Sequence, residues 1–227
     1  MSFVIPAWDI PSLPVAGSED RFPVRRIYCI GRNYAEHARE MGMDERDPPF
    51  FFMKPADAIV QNGETIPYPP QTSNYHYEGE LVVAIGKTAT DVSVEDANDC
   101  IYGYGVGLDM TRRDVQIAAR EVGRPWDMGK GFDNSAPCSE IHTVAEIGHP
   151  AEGRIHLTVN GETRQDGDIK DMIWNVPESI SYLSGLVTLE PGDLIMTGTP
   201  AGVGPVVSGE TMVVSVDGVT ELTCTIA

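Results

Sequence analysis

The 227-residue chain is 41% hydrophobic and 22% charged, enough apolar material for one core and too much for wholesale disorder. Its net charge of −18 sets it against nucleic-acid phosphates and anionic membranes, so neither is an expected partner. An anionic substrate must then be drawn in by local cations or a metal.

Residues 1–25 carry prolines at 6, 11, 14 and 23 with little periodicity, and read as an irregular arm laid over a main domain at 26–227. The first residues lack a basic segment before an apolar run, so no signal peptide is expected. Ile27 to Ile30 reads as a short strand stopped by Gly31. Asn33 is placed to cap a helix over Tyr34–Met41. The charged, proline-bearing stretch 42–49 reads as a mobile loop, a candidate lid. Phe50 to Met53 is apolar throughout, as in a strand buried on both faces.

Glu80–Ile85 and the glycine-rich Tyr102–Asp109 are predicted strands, and Thr111–Glu121 a helix. Arg154–Val159 alternates and meets Asn160-Gly161, a hairpin signal. Pro177–Leu186 suits a helix with proline in its first turn, and with Trp174 reads as core. Leu194–Thr197, Met212–Val216 and Leu222–Ile226 complete the strands. Strands outnumber helices without a βαβ rhythm, which predicts an α+β domain with a mainly β core. Cys29, Cys100, Cys138 and Cys224 form no C-x-x-C pair, so buried free thiols in a reducing compartment, the cytoplasm, are expected. No stretch reaches membrane-spanning length.

Glu78 and Glu80 flank Gly79 at the start of an apolar strand, where residues two apart share a face. Parallel carboxylates repel unless a cation lies between them. An E-x-E on its own is more often a pair of exposed glutamates. Asp109, ending the apolar run Val106–Leu108, offers a third carboxylate. An all-oxygen set of this kind suits Mg²⁺ or Mn²⁺, with Ca²⁺ also admissible, over zinc.

His37 and Glu40 lie three apart on the predicted helix, as a water-activating pair or as a solvated surface pair. Arg32 at that helix start could bind an anion. Lys130, between Gly129 and Gly131, reads as a lysine on a glycine-flanked turn. The 197–204 segment could cradle a carboxylate or be a wide turn. The glycines at 103, 105 and 107 do not fit a dinucleotide-binding spacing, and neither a G-x-S-x-G elbow nor an H-x-x-x-H pair occurs.

Taken in order, Gly31–Glu40, Lys54-Pro55, Tyr77–Leu81, Gly107–Gln116, Lys130–Phe132, Val159–Glu162 and Thr197–Pro205 resemble the fumarylacetoacetate hydrolase family from about residue 25 to the C-terminus. The resemblance implies a mixed β-sandwich roll, usually a homodimer. It implies a divalent cation on Glu78, Glu80 and Asp109, with water completing the shell. It implies His37 with Glu40 as the water-activating dyad, and Lys130, Gln116, Thr199, Arg32 and Arg113 as catalytic or substrate contacts. Cations offsetting an anionic substrate would be Arg32, Arg113, Arg124 and Lys130. The implied activity is hydrolysis of a carbon–carbon bond in a small anionic 2,4-diketo acid. Residues 22–31 and 49–57 are most similar to bacterial members acting on fumarylpyruvate in gentisate degradation. Alternatives are acylpyruvate hydrolysis, oxaloacetate decarboxylation, or isomerase or hydratase chemistry on a related diketo acid. A binding protein that kept only the fold is disfavoured by the presence of every motif residue.

Overall fold

The computed structural model describes residues 3–34 and 47–227. Two sheets dominate. A six-stranded mixed sheet runs in the order His142–Thr143, Ile101–Leu108, Gly79–Ile85, Asp193–Met196, Arg26–Gly31, Phe50–Lys54. A five-stranded sheet runs Glu162–Asp168, Arg154–Val159, Thr211–Val216, Thr220–Ile226, Thr65–Ile66. The α+β, mainly β roll expected from the sequence is the fold observed.

The alternation of the Gly79–Ile85 strand explains how the layers assemble. Successive side chains point to opposite faces, and every residue of this strand is buried. Leu81, Val83 and Ile85 face the large core, where Ile155, Leu157, Val214 and Leu222 arrive from the second sheet. Val82 and Ala84 face a smaller core on the other side, with Leu194, Met196, Ile27 and Cys29. Gly79 lets the two sheets meet closely: a Cβ there would stand 2.8 Å from Val214 Cγ2 and 3.2 Å from Leu157 Cδ1.

That smaller core also takes in the N-terminal arm, which is more regular than its prolines predict. Ser12–Pro14 and Arg21–Pro23 form an antiparallel hairpin, and Leu13, Val15, Phe22 and Val24 are buried against the outer face of the sheet. The hairpin is structural packing, whereas Phe3, Val4, Ile5 and Trp8 before it are exposed.

Three further readings change. Phe50–Lys54 is an edge strand with Phe50 and Met53 exposed, because an apolar run does not distinguish an edge from a centre. Thr111 and Arg112 pair with His76 and Tyr75, so the helix starts only at Arg113. Asn33 is buried and pins two loops: its amide donates to Trp174 O and Thr197 O, and its Oδ1 accepts from Trp174 N, each at 2.8 Å; the helix it is expected to cap lies, from residue 35 on, outside the described residues. Trp174 itself is half-buried rather than core.

The 160–161 hairpin stands as expected, with Asn160 and Gly161 both at positive φ. So does the Val176–Leu186 helix, with Pro177 in its first turn and an Asn175–Glu178 capping box. All four cysteines are free and buried. Among the described residues no helix is long and apolar enough to cross a membrane.

Candidate metal centre

The site is built where two paired strands run out of ladder. Gly79 pairs with Leu108 and Glu80 with Gly107 in antiparallel register, and Asp109 N donates to Glu78 O at 2.9 Å. This register sets Asp109 across from Glu78. Oxygens of Glu78, Glu80 and Asp109 all lie within 4.8 Å of one another, and the three residues are buried.

Two of the three carboxylates are matched by cations. Lys130, only 2% exposed, extends Nζ to Glu78 Oε2 at 2.8 Å, Asp109 Oδ2 at 2.7 Å and Thr111 Oγ1 at 2.7 Å. Arg113 donates from Nη2 to Glu78 Oε1 and from Nη1 to Gln116 Oε1. Lys54 Nζ contacts Asp109 Oδ1 at 2.8 Å and donates to the carbonyls of Met110 and Lys130. Burial alone would raise the Glu78 carboxyl, but Lys130 and Arg113 outweigh it and hold it down to about 2. Burial lowers the proton affinity of Lys130, yet Asp109 and Glu78 overcome this and keep it charged.

Glu80 is different. Its Oε2 accepts from Gly198 N at 2.7 Å, and among the described residues it has no ion pair. Burial first, then Asp109 and Glu78, push its carboxyl well above the ordinary range. A third buried carboxylate lacking a counter-ion beside two others is the electrostatic deficit a divalent cation would fill. The all-oxygen donor set fits a hard ion of the Mg²⁺ or Mn²⁺ kind. Gly198 makes the Glu80 contact from positive φ, and a Cβ there would stand 2.7 Å from Asn33 Cβ.

Glu78 and Glu80 open onto a cavity of about 250 Å³ whose wall also carries Lys130, Arg113, Gln116 and Thr199. Asp109 stands behind this wall. Arg32, also on the wall, has φ of 59° and stacks over Phe50. The structure therefore brings together Glu78, Glu80, Asp109, Lys130, Arg113, Gln116, Thr199 and Arg32. His37, Glu40 and most of the 42–49 loop lie outside the described residues.

Some details differ from expectation. Lys130 ends a one-turn helix, Asp127–Lys130, rather than riding a turn. The Thr199 hydroxyl donates to Gly79 O and accepts from Gln165 Nε2, both at 2.8 Å, so it braces the scaffold in this structure. Arg124, past the helix end, is exposed and absent from the cavity wall, whereas Arg120 is on it. Sequence reasoning also gave no role to Lys54 or Gln165. Gln165 is 1% exposed and accepts from Gly79 N while donating to Thr199 Oγ1 and Pro200 O, tying the second sheet to the site. Its only sequence signal is a glutamine inside a polar, largely charged strand.

Residues 26–227 match the family described as fumarylacetoacetate (FAA) hydrolase C-terminal. The chain is 50% identical over 177 residues to a fumarylpyruvate hydrolase of a Ralstonia species, covering 78% of this chain and 92% of that protein. It is 44% identical over 197 residues to an oxaloacetate tautomerase of Arabidopsis thaliana, covering 87% and 88%. Among solved structures, the fumarylpyruvate hydrolase of Pseudomonas aeruginosa in complex with Mn²⁺ and pyruvate superposes with a TM-score of 0.96 at 53% identity, covering 100% of this chain and 99% of that one. The motif order, the fold and the buried acidic triad agree with these likenesses, and the chain belongs to the fumarylacetoacetate hydrolase family.

Proposed function

We propose that this chain is a divalent-metal-dependent hydrolase that cleaves the C3–C4 bond of a 2,4-diketo acid, with fumarylpyruvate as substrate and fumarate and pyruvate as products. The observation that carries the proposal is the buried acidic triad lying against a cavity walled by Lys130, Arg113 and Arg32 in a protein of net charge −18. Similarity to a fumarylpyruvate hydrolase bound to Mn²⁺ and pyruvate supports it.

Glu78, Glu80 and Asp109 would hold the ion. When bound, a divalent cation supplies Lewis-acid polarisation at the 2-oxo acid end of the substrate. His37, oriented by Glu40, takes a proton from water, a role inferred from the family resemblance. The resulting hydroxide adds to the C4 carbonyl. Gln116 faces the cavity and steadies the developing oxyanion; Lys130, whose ammonium is engaged with Glu78, Asp109 and Thr111 here, would turn one N–H from that network to join it, with Thr199 bracing the wall. Collapse breaks the C3–C4 bond and sends its electron pair to C3. The proton His37 took from water is returned to C3 to complete pyruvate, and the acyl fragment leaves as fumarate. Mn²⁺ and Mg²⁺ are the proposed ions, the cytoplasm the proposed compartment and a homodimer the proposed assembly. The exposed apolar run Phe3, Val4, Ile5 and Trp8 is a surface such an assembly would cover.

Tautomerase chemistry is the second reading, favoured by the oxaloacetate tautomerase relative. It moves a proton without breaking the carbon skeleton. The test follows the absorbance of enolised fumarylpyruvate, shorter acylpyruvates and oxaloacetate while pyruvate is assayed. Equimolar pyruvate and fumarate from fumarylpyruvate is the expected result. Loss of enol absorbance from oxaloacetate, with no pyruvate formed from any diketo acid, would replace hydrolysis with tautomerisation.

A further inference from the structure

The cavity has a cationic outer end that the cleavage chemistry does not use. The Arg113–Glu121 helix presents Arg113, Gln116, Ile117 and Arg120 to it, the i, i+3, i+4, i+7 spacing of one helix face. Arg113 is engaged with Glu78 and Gln116. Arg120 makes no ion pair among the described residues, although acids outnumber Lys and Arg by 34 to 16 in the chain. Arg32 lines the same cavity wall, and burial first, then the Arg120 charge, lowers its pKa. Arg32 also holds a left-handed backbone, uncommon for a residue with a side chain. Two arginines converging on one cavity in an acidic protein form a receptor for a planar anion.

We infer that Arg120 and Arg32 form a subsite for a second carboxylate at the far end of the acyl chain, making Arg120 a specificity-determining residue for dicarboxylic substrates. The spacing agrees. Arg120 lies seven residues beyond Arg113, about 10 Å along the helix axis. A seven-carbon 2-oxo diacid spans about 7–8 Å between its terminal carbons, and the flexible guanidinium makes up the remainder. Ile117, Phe52 and Trp126 line the same cavity and supply apolar walls for the carbon chain between the two polar ends.

The inference rests on reading the acidic triad as the 2-oxo acid end of the cavity, so its test is a binding measurement that needs no turnover. Mn²⁺-loaded protein is titrated calorimetrically with 2-oxoheptanedioate and with 2-oxoheptanoate, which match in length and differ in the distal carboxylate. Wild type is expected to bind the diacid at least about tenfold more tightly, the scale of a charge-assisted pair. Arg120→Met is expected to bring the two affinities within about twofold by weakening the diacid alone, with Arg120→Lys intermediate. Equal affinities in wild type, a preference that survives Arg120→Met, or equal weakening of both ligands would each overturn the subsite. A retained preference in a protein that hydrolyses no acylpyruvate would overturn the proposed reaction and leave the subsite standing. Wild type that binds neither ligand would overturn both.

Discussion

Replacing Lys130 with methionine tests the charge balance of the centre. The Lys130 ammonium is buried and bonds Glu78, Asp109 and Thr111 at 2.7–2.8 Å. Methionine keeps most of the volume and none of the charge. Glu78 and Asp109 then retain Arg113 and Lys54 but lose the cation that joins them. Removing one partner of a buried ion network costs about 3–5 kcal/mol, because the charges left behind stay desolvated. For a chain of this size that is a fall in melting temperature of roughly 6–20 °C. A divalent ion brings positive charge to the same oxygens, so Mn²⁺ should recover more stability in the variant than in wild type. Urea unfolding of chelator-treated protein, then of protein with saturating Mn²⁺, measures both effects. A metal-free Lys130→Met within about 1 kcal/mol of wild type, or an equal Mn²⁺ stabilisation of the two, would refute the reasoning.

Other outcomes follow from the same geometry. Exhaustive chelation should abolish hydrolysis and Mg²⁺ or Mn²⁺ should restore it; full activity in metal-free protein, verified by elemental analysis, would rule out a metal role. His37→Ala should lose at least about a hundredfold in turnover while binding Mn²⁺ normally, the scale of a general base, and near-normal turnover would remove the dyad. Gln165→Leu leaves the buried Gly79 N–H and Thr199 hydroxyl short of a partner, so unfolding should become easier by about 1–3 kcal/mol in a denaturant titration. Asp114 tests acid stability. Burial would raise its carboxyl, but bonds from the Thr72 hydroxyl and from the Ser73 and Val115 amides hold it below the ordinary 3.8. A depressed folded-state value gives stability that is present above the unfolded value and lost as pH falls through the folded one. Asp114→Asn should therefore be less stable than wild type at pH 6, with the gap closing below about pH 4; a pH-independent gap would show that the carboxylate charge is irrelevant.

The triad was legible because its signals are local: Glu78 and Glu80 sit two apart at a strand start and Asp109 ends the strand that pairs with it. What the sequence concealed depends on how layers meet. Gln165 looks like any polar residue on a charged strand until the second sheet packs over Gly79. The apolar positions Leu13, Val15, Phe22 and Val24 alternate, but over strands of three residues broken by proline the period is too short to read. Arg120 was within reach: counting helical turns from Arg113 through Gln116 lands on it, whereas Arg124 falls past the helix end at Val122. The edge position of Phe50–Lys54 was not, since strand order is a tertiary property. Lys54 carries the opposite lesson. Its motif was recognisable, but a buried lysine bridging Asp109 to the Lys130 carbonyl shows its purpose only once both partners are in place.

Mn²⁺ titration of chelator-treated protein, followed by electron paramagnetic resonance, tests the metal centre most directly when wild type is run beside Glu78→Gln, Glu80→Gln and Asp109→Asn. One high-affinity ion per chain in wild type, with affinity reduced at least about tenfold in each variant, is the predicted result. Undiminished binding in all three variants would contradict it, because the ion would then be held by other groups.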